Sequence, residues 1–143
     1  MVDRDELTRR DADGWRAFEA LLSAVPTVRR ETPDLDDGWS VKDVLWHMGY
    51  WWEDFRRSVE TGDWSEGEET TDEVNTREQE ISRSKTWNEV RATVLSRREA
   101  MLAAWRAIPE VSEEVARSFL SETVEHYDEH RPQLRELLEA DDE

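Results

Sequence analysis

The sequence predicts an all-α protein built as a four-helix bundle. In four long stretches the apolar residues recur at intervals of three and four, which is the period of an amphipathic helix, and no stretch shows sustained strand alternation. Helices are predicted at about 3–25, 40–61, 86–108 and 112–138, with one long polar crossover between the second and the third. Four such helices with one long connection are typical of a four-helix bundle.

The first two helices have clear apolar stripes and recognisable ends. A loop is predicted at 26–38, which carries two prolines and an acidic cluster. Ser40 is the expected N-cap of the second helix, and Asp43 three residues later comes close to a capping box. The first stripe is Leu7, Trp15, Phe18, Leu21, Leu22 and Val25, and the second is Val41, Val44, Leu45, Met48, Trp51, Trp52, Phe55 and Val59.

The crossover and the last two helices are predicted from the same kinds of signal. Within the polar crossover, the stretch Thr71 to Ser82 is a candidate for a short helix, although it has few apolar residues to bury. Pro109 is expected to end the third helix, and Pro132 to kink or interrupt the fourth. Their apolar positions are Trp87, Val90, Val94, Met101, Leu102, Trp105 and Ile108, then Val115, Phe119, Tyr127, Leu134, Leu137 and Leu138.

Composition narrows the function classes. The 143 residues suggest one domain, 1–143, and its 19 basic against 36 acidic residues give a net charge of −17. An acidic surface repels nucleic-acid phosphates and anionic lipid, so neither nucleic acid nor membrane is an expected partner. No apolar run approaches the roughly 20 residues that span a bilayer, and the charged N-terminus lacks a signal-peptide core, so we expect a cytoplasmic protein. The absence of Cys excludes disulfides, thiolate metal ligands and a thiol nucleophile.

The three histidines are the most informative feature of the sequence. His126 and His130 are four residues apart, so they project about 40° apart on one helix face, inside the stripe of Phe119, Thr123 and Leu137. Two inward histidines one turn apart can share a divalent metal ion. The alternative is a pair of core histidines with hydrogen-bonded ring nitrogens. A zincin-type protease requires Glu directly after the first His, whereas residue 127 is Tyr.

A third ligand would have to come from another helix. His47 lies on the shoulder of the second helix's apolar face, beside Val44 and Trp51, and could face the fourth helix. Three histidines that leave coordination positions open are typical of a catalytic rather than a structural metal site.

Arg98 interrupts the apolar stripe of the third helix, between Val94 and Met101. A charge in that position needs a partner. One interpretation is an ion pair with Asp11, which lies in the stripe of the first helix. The other is that Arg98 binds a carboxylate of a substrate or of a thiol cosubstrate.

Several residues near the histidines are further candidates. Asp54 and Asp43 could accept a hydrogen bond from the imidazole of His47, and Asp54 is favoured because Asp43 lies at the helix start. A solvated face is the alternative for both. Trp51, one turn beyond His47, either lines the site or packs in the core, and Tyr127 is expected to pack.

Two segments resemble a known family. The run from Gly38 to His47, followed by Trp51 and Glu53, resembles the second-helix signature of the DinB/YfiT-like superfamily, and the run from Glu122 to His130 resembles its last-helix motif. Val74-Asn75 and the third helix are also similar, so the resemblance covers essentially the whole chain. Within the superfamily, the DfsB/ClbS-like branch or a close relative is the most similar.

The resemblance implies an architecture and a metal site. The four helices would run up-down-down-up, with the long crossover between the second and third. A divalent metal ion would be bound by His47, His126 and His130. Imidazole ligands suit Zn, Ni and Fe alike, so the metal is not specified.

The resemblance also implies a kind of chemistry. Members with known activity include thiol-dependent S-transferases, a maleylpyruvate isomerase and a hydrolase that disarms a genotoxin. We therefore expect a metal-dependent S-transferase or hydrolase acting on a small electrophilic molecule, with a low-molecular-weight thiol as cosubstrate because the chain has no Cys. The alternative is a non-catalytic metal-binding or small-molecule-binding bundle or a dimerisation protein. A homodimer through the tryptophan-rich faces fits either expectation.

Overall fold

The computed structural model describes residues 2–35 and 38–141, and within them the regular structure is entirely helical. The all-α class is therefore confirmed. Residues 36 and 37 of the predicted loop lie outside the described part. The elements are α1 (Arg4–Ala24), a 3-10 turn (Thr27–Arg29), α2 (Val41–Thr61), α3 (Thr71–Arg83), α4 (Trp87–Ala107), α5 (Glu113–Glu122) and α6 (Val124–Asp141).

Helices α1, α2 and α4 begin and end close to the predicted residues, and local capping bonds mark the starts of α1 and α4. The Asp3 side chain accepts a hydrogen bond from the Glu6 amide at 3.0 Å, and Thr86 does the same for the Glu89 amide at 3.1 Å. Each bond satisfies one backbone donor that the first helical turn leaves without an intrahelical acceptor.

The candidate short helix in the crossover is confirmed as α3. It starts with a capping box in which the Thr70 hydroxyl accepts from the Glu73 amide (3.1 Å) and the Glu73 carboxylate accepts from the Thr70 amide (3.2 Å). Its buried residues are Val74, Glu78 and Ser82, so the helix buries polar as well as apolar side chains.

The predicted fourth helix is interrupted, but not at Pro132; the alternative of a kink at Pro132 stays a prediction. The break falls at Thr123, whose backbone leaves the helical region (φ −116°, ψ −93°), and Pro132 lies inside α6. The Thr123 hydroxyl donates to the Phe119 carbonyl at 2.7 Å. A Thr side chain that bonds the carbonyl four residues back often bends a helix, and at this residue α5 ends before α6 begins.

The chain divides into two compact units. The terminal unit contains the chain up to Val41 and from Glu110 onward, and the central unit spans Lys42–Pro109. The single domain 1–143 and the up-down-down-up order of the helices stay predictions. None of the helices in the described part is long and apolar enough to cross a membrane.

Tyr127 is the centre of the terminal unit's core. Its fully buried ring lies 5.9 Å from the ring centroids of both Trp15 and Phe18. Its hydroxyl donates to Asp11 at 2.7 Å, and Asp11 is only 1% exposed. A Cβ at Gly14 would lie 2.8 Å from the Tyr127 ring, so the glycine allows α1 and α6 to approach closely. Tyr127 therefore packs, as expected, and also bonds a buried carboxyl group.

The core of the central unit lies between α2 and α4. A Cβ at Gly49 would be 2.8 Å from a methyl group of Val94, which shows how closely these two helices approach. The buried apolar side chains of α2 and α4 in this unit are Val44, Leu45, Trp46, Met48, Trp52, Phe55, Val90, Val94, Met101, Ala104 and Trp105.

Candidate metal centre

His126 and His130 lie together in the terminal unit, one turn apart on α6. They are 6% and 9% exposed, and their ring centroids are 4.9 Å apart. Each offers a ring nitrogen, and these two nitrogens lie within 4.8 Å of each other. The predicted inward placement of both histidines is confirmed. Two imidazoles this close can bind one metal ion after small side-chain rotations, since each metal–nitrogen bond is about 2.0–2.1 Å long.

A side-chain amide adjoins the His130 ring. The Oε1 atom of Gln133 is 2.9 Å from His130 Nδ1. A metal-binding histidine almost always has such a contact on its second ring nitrogen, because the contact orients the ring. Gln133 lies only three residues after His130 but was not among the predicted site residues.

His47 lies in the central unit, on α2, and is half-buried. Its Nδ1 is 3.1 Å from Oδ1 of Asn75, which belongs to α3. The indole Nε1 of Trp51 donates to the same Oδ1 atom, also at 3.1 Å. Trp51 is thus beside His47, and the two side chains converge on one amide oxygen.

The residue that supplies an oxygen to the His47 ring is therefore on a different helix from the predicted candidates. Asp54 pairs instead with Arg57 on the same helix, and its own side chain is half-buried. Asp43 is buried and accepts from Gln79 Nε2 at 3.5 Å. Two sequence signals could have identified Asn75. One is the capping box at the start of α3, and the other is the Val74-Asn75 pair, which resembles the DinB/YfiT-like superfamily.

Trp46 anchors α3 beside α2 and so fixes the position of Asn75. The Trp46 indole nitrogen donates to the buried Glu78 carboxylate at 3.1 Å. The guanidinium carbon of Arg97 and the ammonium of Lys85 lie 4.6 Å and 5.5 Å from the Trp46 ring centroid. Cations at these distances from a Trp ring are attracted to its π face.

Arg98 is buried in the stripe of α4, as predicted, with 7% of its surface exposed. Its guanidinium carbon lies 5.6 Å from the Trp52 ring centroid, which is within the range of a cation–π contact. Burial of a guanidinium group is costly unless hydrogen-bonding or ionic partners compensate for the lost hydration.

Glu53, which belongs to the second-helix motif, interacts with nearby arginine side chains. Hydrogen bonding from the Arg56 guanidinium lowers the pKa of Glu53 below its ordinary value, and the nearby charges of Arg56, Arg97 and Arg57 act in the same direction. The carboxylate is therefore ionised at neutral pH.

Comparison with known proteins identifies a matching family. A family model of the DinB superfamily matches residues 11–134, a stretch that contains all three histidines and Asn75. No curated protein and no solved structure matches the chain. Because the matched stretch covers most of the sequence, this helical protein with its paired histidines on α6 belongs to the DinB superfamily.

Proposed function

We propose that His47, His126 and His130 bind one divalent metal ion and that the protein is a metal-dependent enzyme. The observation that carries the proposal is the buried pair of imidazoles on α6, 4.9 Å apart, in a chain of the DinB superfamily. Neutral imidazoles suit Zn, Ni and Fe. His47 supplies the third nitrogen, and the four long helices take the up-down-down-up arrangement that the family resemblance implies.

The proposed reaction is thiol transfer to a small electrophile, or hydrolysis, as in members of the superfamily with known activity. A bound divalent ion acts as a Lewis acid that lowers the pKa of a coordinated water or thiol. Three neutral histidines leave the full positive charge of the ion in place, which favours an anionic nucleophile. The thiol comes from a low-molecular-weight cosubstrate, because the chain has no Cys.

Two further residues have proposed roles around the substrate. The guanidinium of Arg98 binds a carboxylate of the substrate or of the thiol, and the exposed part of the Trp51 ring lines the site. Asp54, paired with Arg57, has at most an outer role. Arg98 is the stronger candidate, because a buried guanidinium that pairs with a carboxylate recovers part of its desolvation cost.

A screen of metal-loaded protein tests the enzymatic proposal. Purified chain loaded with Zn²⁺, Ni²⁺ or Fe²⁺ is mixed with a panel of small thiols and a chromogenic aryl halide, and separately with activated esters and amides. We expect turnover with at least one combination, and its loss in His126→Ala, since the metal is then bound weakly. Turnover that is equal in His126→Ala, or absent throughout, would contradict the enzymatic proposal and favour the non-catalytic binding bundle.

Arg98→Met belongs in the same screen as a test of the carboxylate role. We expect it to raise KM for carboxylate-bearing thiols and to leave KM for their methyl esters unchanged. If Arg98→Met retains metal and activity and increases stability, Arg98 does not bind substrate.

A homodimer is also proposed. Trp46, Trp52 and Trp105 are buried, whereas Trp64, at 44% exposure, packs against Phe55 with ring centroids 5.8 Å apart. Sedimentation equilibrium of the full chain decides the oligomeric state.

A further inference from the structure

We infer that Asn75 positions His47 by fixing which ring nitrogen carries the proton, so that Nε2 is the nitrogen that binds metal. Asn75, His47 and Trp51 all belong to the central unit, and the two polar contacts that they form meet at one atom. The inference rests on the proposed metal site for its purpose, but the proton position itself can be measured without metal.

The orientation of the Asn75 amide follows from its contact with Trp51. The oxygen and nitrogen of an Asn side chain cannot be told apart by shape and must be assigned from their partners. The Trp51 indole nitrogen can only donate a hydrogen bond, so the Asn75 atom 3.1 Å from it has to be the carbonyl oxygen. Trp51 therefore fixes the amide in one of its two orientations.

The position of the proton on the His47 ring follows from its contact with the same Asn75 oxygen. The same Oδ1 atom lies 3.1 Å from His47 Nδ1, and a carbonyl oxygen has two lone pairs but no proton to donate. Oδ1 can accept from the indole and from Nδ1 at once, which requires the His47 proton to be on Nδ1. In neutral imidazole the lone pair is then on Nε2, the nitrogen that remains able to coordinate a metal.

The contact between Asn75 and His47 depends on how firmly α3 is held in place. Neutral histidine in water favours the proton on Nε2, so Asn75 has to work against an intrinsic preference. It can do so because α3 is held in place by its capping box and by the hydrogen bond from Trp46 to Glu78. Asn75 is therefore a positioning residue, and it acts on the metal through His47.

The test measures the ring-nitrogen protonation of His47 in metal-free protein. Long-range ¹H–¹⁵N NMR spectra distinguish the two neutral tautomers by their ¹⁵N shifts, and the chain has only three histidines to assign. At alkaline pH we expect the Nδ1-protonated form of His47 in wild type and in Asn75→Asp, which keeps an acceptor at this position. In Asn75→Leu we expect the Nε2-protonated form, with the His130 signals unchanged as the internal control.

A further variant, Trp51→Phe, keeps the test decisive if Asn75→Leu does not fold. Trp51→Phe removes the donor that orients the amide, so we expect a mixture of the two His47 tautomers. An Nε2-protonated His47 in metal-free wild-type protein, or a tautomer that is unchanged in both Trp51→Phe and Asn75→Leu, would overturn the inference.

Metal affinity separates this inference from the proposed function. Loss of an outer hydrogen-bond partner of a ligand typically weakens metal binding by about 10–100-fold. We expect a loss of that size for Zn²⁺ in Asn75→Leu, and affinity close to wild type in Asn75→Asp. If the tautomers follow the prediction but wild type binds no metal, the proposed function fails and Asn75 still orients His47. If metal binds but the tautomers differ from the prediction, only the inference about Asn75 fails.

Discussion

Replacing His126 by alanine is expected to weaken divalent-metal binding by more than about 100-fold, since loss of a ligand should exceed the 10–100-fold cost of losing an outer contact. His126 is 6% exposed and lies 4.9 Å, ring to ring, from His130. Alanine at this position removes one of the three proposed nitrogens. Competition with a chromogenic chelator measures the dissociation constants for Zn²⁺ and Ni²⁺.

The matched control for this variant is Glu125→Ala. Glu125 is the preceding residue on α6, and its side chain is exposed, so its loss changes the helix sequence to a similar extent without removing a proposed ligand. We expect its affinity to remain within a factor of a few of wild type. Equal affinities in His126→Ala and Glu125→Ala would show that the α6 pair does not bind the metal.

Replacing Tyr127 by phenylalanine is expected to reduce the free energy of unfolding by about 2 kcal/mol, because a buried acceptor that loses its donor costs about 1–3 kcal/mol. The hydroxyl donates at 2.7 Å to Asp11, which is 1% exposed. Phenylalanine keeps the ring contacts with Trp15 and Phe18, so the variant isolates the hydrogen bond. Urea denaturation followed by tryptophan fluorescence gives the midpoint and the slope.

The chain's second tyrosine provides the control. Tyr50 contacts Arg77 Nη2 at 3.4 Å at an exposed position, and Tyr50→Phe is expected to change stability by less than about 0.5 kcal/mol. A loss in Tyr127→Phe no larger than in Tyr50→Phe would mean that the buried bond to Asp11 contributes little to the fold.

Much of the fold could be predicted because its signals are local. The helical period and the caps Asp3 and Thr86 depend on residues a few positions apart, and α1, α2 and α4 lie where the sequence places them. The break in the last helix was not predicted at its actual place because proline carries the stronger local signal. The break lies at Thr123, whose hydroxyl bonds the Phe119 carbonyl. Thr8 bonds the Arg4 carbonyl in the same way inside the unbroken α1, so this type of contact does not by itself predict a break.

Part of the candidate site could also be predicted from residues close together in the sequence. The spacing of His126 and His130 places both on one face of α6, and the structure buries both. Asn75 was missed because it lies in the crossover, whose placement beside α2 depends on contacts between distant residues, above all the bond from Trp46 to Glu78. Aspartates on α2 itself were the local candidates, and Asp54 bonds Arg57 instead.

If His47, His126 and His130 bind one metal ion, untagged protein should carry that ion, so its metal content is the decisive measurement. The chain is purified without chelators or a metal-affinity step, passed through a desalting column, and analysed by inductively coupled plasma mass spectrometry beside His47→Ala, His126→Ala and His130→Ala. We expect about one divalent ion per chain in the wild type and a loss of most of it in each variant. A metal-free wild type, or a His47→Ala variant that keeps its full metal content, would contradict the three-histidine site.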